Sequence, residues 1–243
     1  MTVLHQTKNL PFETLDFLKG GCLSNPQSLL ITLHGYGASA DDIAPLAKAL
    51  TNAKNQTLLV TPNAPNTHPE SQGYFWFPIQ TLSEEELSSG TKAVLPSLQN
   101  WVSDLQKELN ISPEKTSVVG FSQGGMLALC INQGKKVLAK KVLCFSGGSC
   151  LLPQELDDFA HYQLVHGTDD VVVPLSMAIQ TVTAYKKFCP NISLHQIQFS
   201  LLLQLQALKR SFLLHCNQSF LIVLAKISIL FFFLRLSLNC FLI

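Results

Sequence analysis

The chain has 243 residues, enough for one large domain with a sizeable core or at most two small ones. Its net charge of +1 gives no electrostatic case for nucleic acid as the main partner. The seven cysteines are odd in number and scattered, with no C-x-x-C pair, which argues against a disulfide scaffold or a zinc site and points to reduced thiols in a cytoplasmic protein. The first residues, Met1 to Lys8, lack the long apolar run of a secretory signal.

Phe12 to Leu18 alternates apolar and polar residues, as an edge strand does. Ser28 to Leu33 is an apolar run between Pro26 and Gly35 and reads as a buried strand. It ends in the glycine-rich loop His34-Gly35-Tyr36-Gly37. A helix begins near Asp41-Asp42, and Thr57 to Val60 is the next strand. Thr61 to Pro78 carries Pro62, Pro65, Pro69 and Pro78 and no helical period, so it reads as a long loop. Its aromatic cluster, Tyr74-Phe75-Trp76-Phe77, has two readings: local packing onto the sheet, or one wall of an apolar substrate pocket.

Ser83 and Glu86 have the spacing of a capping box. Leu95, Leu98, Val102, Leu105 and Leu109 then mark one face of an amphipathic helix. Thr116 to Val119 is a strand that leads into Gly120-Phe121-Ser122-Gln123-Gly124-Gly125, and an apolar helix follows over 126–131. Further strands are expected at Lys141 to Ser146, Tyr162 to Val165 and Asn191 to Ile197, with a helix over Leu175 to Lys187. Alternating strands and helices imply an α/β fold, a mainly parallel sheet with helices on both faces and ligands at the carboxyl ends of the strands.

The G-x-S-x-G run is the pattern of a nucleophile elbow, a strand-turn-helix that exposes a serine on a strained backbone. A serine hydroxyl needs a base to take its proton, a carboxylate to orient that base and donors for the oxyanion. Ser122 is the candidate nucleophile. Asp170 lies after a later strand, where the acid belongs, with Asp169 as its competitor; Val171-Val172-Val173-Pro174 can anchor Asp170 directly. The backbone N–H of Gln123, and one in the 34–37 loop, foremost that of Tyr36, are the candidate oxyanion donors. His34 precedes the serine and is expected to shape its loop rather than act as base.

Leu33-His34-Gly35-Tyr36-Gly37, Trp76-Phe77, Gly120-Phe121-Ser122-Gln123-Gly124 and His166-Gly167-Thr168-Asp169-Asp170-Val171-Val172-Val173-Pro174 together resemble the phospholipase/carboxylesterase family. That family includes the acyl-protein thioesterases and belongs to the α/β-hydrolase superfamily. The resemblance runs from about residue 10 to 198. It implies an α/β-hydrolase fold and a serine hydrolase of carboxylic esters or thioesters. By the same resemblance Ser122 is the nucleophile, Asp170 the acid, Tyr36 and Gln123 the oxyanion hole, and Trp76 and Phe77 the lining of the substrate pocket. No metal or cofactor is implied.

The family places its histidine in a Gly-x-Gly-His loop after the last strand. Here Gln198 is followed by Phe199-Ser200-Leu201-Leu202-Leu203, with neither glycine nor histidine. The later histidines are His195, inside the expected strand, and His215, with no motif around it. No Asp or Glu follows Asp170, and residues 199–243 are rich in Leu, Phe and Ile. The chain is therefore expected to divide into a hydrolase domain over 1–198 and an apolar tail over 199–243 of frameshift origin. A membrane anchor and an ordinary helix are the competing readings of the tail, and Lys226 and Arg235 weigh against the anchor. The functional alternative is an inactive pseudoenzyme or binding module, membrane-tethered through the tail. A homodimer is left open.

Overall fold

The computed structural model describes residues 2–4, 16–51, 56–69, 72–134, 137–153 and 160–197. The strands are β1 (Thr2–Leu4), β2 (Phe17–Gly21), β3 (Ser28–Leu33), β4 (Thr57–Pro62), β5 (Asn66–Thr67), β6 (Tyr74–Phe75), β7 (Thr116–Phe121), β8 (Lys141–Phe145), β9 (His161–Gly167) and β10 (Ile192–Ile197). The helices are α1 (Ala40–Ala49), α2 (Glu84–Leu109), α3 (Gln123–Cys130) and α4 (Leu175–Tyr185).

Eight strands form one sheet in the order β1-β2-β4-β3-β7-β8-β9-β10. β1 pairs antiparallel with β2, and β2 antiparallel with β4; every later neighbour is parallel. The expected edge strand is therefore present, shifted to Phe17–Gly21; positions 12–15 of that expectation lie outside the described residues.

Period-two alternation sorts the strand side chains between two cores. Leu29, Ile31, Val118, Val142, Cys144 and Leu164 pack with residues of α2, α3 and α4. Their sequence neighbours Leu30, Val119, Leu143 and Val165 point the other way and pack with Ile43, Leu46 and Ala47 of α1. The sheet is thus buried on both faces, which is why its central strands read as unbroken apolar runs.

The local signals at helix starts resolve differently from the sequence reading. Ser83 does cap α2, accepting the Glu86 N–H, but the Glu86 carboxylate turns to the N–H groups of Gln80 and Thr81 instead of completing a box. A complete capping box sits at α1, where Ser39 and Asp42 satisfy each other's backbone N–H groups. α2 runs through Pro96 and begins at Glu84, eleven residues before its regular leucine stripe at Leu95. The 61–78 segment is also more regular than a bare loop, since β5 and β6 pair as a short antiparallel ribbon.

Candidate active site

Ser122 sits between β7 and α3 with φ 51° and ψ −117°, a conformation that L-residues rarely adopt. The turn is too tight for side chains on either flank. A Cβ on Gly120 would overlap the Gly124 carbonyl, and one on Gly124 would overlap the carbonyls of Leu33 and His34. The Ser122 N–H donates to Phe145 O at 2.9 Å, so the elbow remains tied to β8 after β7 has ended. The first turn of α3 presents its positive end at the same place.

The 34–37 loop lies against this elbow: a Cβ on Gly35 would be 3.4 Å from Ser122 Cβ. His34 is wholly buried and organises the loop. Its Nε2 accepts the Ala64 N–H at 2.9 Å, so its proton is on Nδ1, which donates to Gly35 O at 2.7 Å. Burial lowers its pKa to about 4 and keeps it neutral. Both ring nitrogens are engaged, which fits a shaping role and leaves none for proton transfer. The Trp76 indole N–H donates to His34 O at 2.9 Å. Tyr36 follows Gly35 and stacks on Phe75, with centroids 5.3 Å apart.

The loop after β9 holds Asp170, the candidate acid. Asp170 Oδ1 accepts the N–H groups of Val172 at 3.0 Å and Val173 at 2.9 Å. Asp169 is exposed and accepts only the neighbouring Thr168 hydroxyl, so of the two acids Asp170 has the fixed geometry. Behind it, buried His166 donates from Nε2 to Val173 O at 2.8 Å and lies 3.7 Å from Asp170 Oδ2. His166 is on β9 and Ser122 directly follows β7, with β8 between the two strands. Two strand spacings amount to ~10 Å, so His166 supports the Asp170 loop and does not reach the serine.

His195 lies inside β10, opposite Val165, exposed and 3.3 Å from the Ser193 hydroxyl. His215 and the tail over 199–243 lie outside the described residues. Trp76 and Phe77 are buried in the main core, 0% and 2% exposed. The accessible aromatic surface of the segment is instead Phe75 with Tyr36 and His68. Sequence reasoning missed His68 and the Gln123 side chain; nothing in spacing or composition marks either one.

A model of the phospholipase/carboxylesterase family matches residues 23–202. The chain belongs to the phospholipase/carboxylesterase family. Members of this family are carboxylic ester hydrolases of the α/β-hydrolase fold. Esterase YpfH of Escherichia coli K12 is 26% identical over 153 residues, which are 63% of this chain and 66% of that protein. Acyl-protein thioesterase 1 of Kluyveromyces lactis is 25% identical over 177 residues, 67% of this chain and 78% of that protein. Among solved structures, esterase PE8 superposes with a TM-score of 0.65 at 26% identity, over 82% of this chain and 99% of that one. Among the described residues no helix is long and apolar enough to cross a membrane.

Proposed function

We propose that this chain hydrolyses carboxylic esters or thioesters, of the carboxylesterase, lysophospholipase or acyl-protein thioesterase type, in the cytoplasm. Ser122 is the nucleophile, Asp170 the acid, and the backbone N–H groups of Tyr36 and Gln123 form the oxyanion hole. The observation that carries this reading is the strained Ser122 backbone, locked between Gly120 and Gly124 at the carboxyl edge of the sheet. Ser122 Oγ adds to the acyl carbon, and the two N–H groups hold the oxyanion. The C–O or C–S bond then breaks, the alcohol or thiol leaves with a proton, and water releases the acid from Ser122. Trp76 and Phe77 back the substrate wall from inside the core. The buried Cys130 and Cys150, whose pKa values burial pushes up to about 11 and about 12, are small core residues, inert as thiols.

The base sets the rate. The residues after β10 carry no Gly-x-Gly-His, and His195 is an exposed strand residue. The family's last loop is read as replaced through a frameshift, leaving 1–198 as an incomplete hydrolase domain. Without a triad base, the oxyanion hole and substrate binding alone supply ~10³–10⁴ over water. The chain is therefore a slow hydrolase. The test is turnover of p-nitrophenyl acetate and fluorophosphonate labelling of the full chain beside Ser122→Ala. Slow turnover and slow labelling, both lost in the variant, are expected. Equal turnover in Ser122→Ala would remove the nucleophile assignment, and turnover at a rate typical of complete triads would overturn the missing base. The missing imidazole also favours one second reading, a binding module, which predicts a folded protein with neither activity.

A further inference from the structure

The residue after the nucleophile carries a side chain that the reaction scheme does not use. Gln123 is buried, 1% exposed, at the start of α3. Its Oε1 accepts the Trp76 N–H at 2.9 Å and its Nε2 donates to Phe77 O at 2.7 Å. The orientation of the amide is fixed by its partners, because a backbone N–H only donates and a backbone C=O only accepts. One side chain thus holds the N–H of Trp76 and the C=O of the next residue, Phe77. Glutamate lacks the donor for Phe77 O, asparagine is one methylene short, and methionine has the length without either polar group.

The gripped segment carries Phe75 and His68, two rings that meet Tyr36 of the loop packed against Ser122. Phe75 stacks on Tyr36 at 5.3 Å and 26°, and the His68 ring meets both edge-on, at 88° to Tyr36 and 90° to Phe75. All three are partly exposed, and Tyr36 adjoins the Gly35 that packs against Ser122. Further bonds fasten the same segment: Gly37 N–H to Tyr74 O, Tyr74 N–H to Ala38 O, and Asn66 Nδ2 to the carbonyls of Phe75 and Trp76. Gln123 provides the direct tie from this segment to the elbow.

We propose that the Gln123 carboxamide is a positioning residue that sets the distance between the Ser122 elbow and the wall of Tyr36, His68 and Phe75, and thereby the size of the apolar ester group the site admits. This rests on the hydrolase reading given under Proposed function.

The test is Gln123→Met in the full chain, which keeps the backbone N–H and removes the grip. KM for p-nitrophenyl octanoate or 1-naphthyl acetate is expected to rise ~10-fold relative to KM for p-nitrophenyl acetate. Unchanged KM ratios across all three esters would overturn the proposal. Two measurements do not need activity. In a Trp101→Phe background, Trp76 emission is expected to shift to the red in Gln123→Met; identical emission would count against the grip. In the unmodified protein the Trp76 amide is expected to exchange as slowly as central strand amides, and fast exchange would overturn the proposal even if the variant does not fold. If the unmodified chain shows no Ser122-dependent turnover, the hydrolase reading fails, while emission and exchange still decide the Gln123 grip.

Discussion

At Ser122 the backbone stands at φ 51° and ψ −117°, a departure that typically costs ~1–3 kcal/mol for a residue with a Cβ. Glycine relieves that strain and alanine does not. Ser122→Gly is therefore expected to unfold at higher urea than Ser122→Ala, by ~1–3 kcal/mol, although both lack the hydroxyl. The opposite order would mean that the turn relaxes once the serine is gone. The glycines around it were legible in the sequence because their requirement is local: a Cβ on Gly120 meets a carbonyl four residues away. Asp170 was legible for the same reason, through the N–H groups two and three residues on. The Gln123 grip was not, since its partners lie 46 and 47 positions away and a glutamine has no preferred partner that spacing could reveal.

The elements place the 34–37 loop through a neutral histidine. His34 titrates at about 4 in the native protein, lowered by burial from the ordinary 6.5. Between those values the unfolded chain holds a proton that the folded chain does not. The contribution is therefore complete above pH 6.5 and is lost as the pH falls toward 4, at up to ~1.4 kcal/mol per unit. Urea midpoints at pH 7 and pH 4.5 should show a fall in the unmodified protein that is smaller in His34→Gln; equal falls would place the titration elsewhere. The strand and helix order was readable from periodicity, because a sheet covered on both faces produces strands that are apolar throughout, such as Leu29-Leu30-Ile31 and Val118-Val119. Helix starts were less readable. Ser83-x-x-Glu86 and Ser39-x-x-Asp42 have equivalent spacing, yet Glu86 found the closer N–H groups of Gln80 and Thr81 while Asp42 found those of the cap.

At the scale of the whole molecule the sheet brings together residues that are distant in the chain, and no Gly-x-Gly-His follows β10 in the sequence. A chimera that carries a Gly-x-Gly-His loop in place of residues 199–202 would supply the imidazole motif that the sequence lacks after β10. Turnover of p-nitrophenyl acetate is expected to rise by ~10²–10⁴, the usual contribution of a positioned base. No gain in a folded chimera would mean that the base is already supplied. The same sheet has a natural parting line. Gly134, between α3 and β8, is exposed, has φ +84° and would leave a side chain in open space. A cut there puts Ser122, Gln123 and Tyr36 on one piece and Asp170 on the other, with the pieces joined by the parallel ladder from Ser117↔Lys141 to Phe121↔Phe145. A chain broken there would carry the proposed nucleophile and the proposed acid on separate pieces, held together only through the ladder between β7 and β8 and the packing around it.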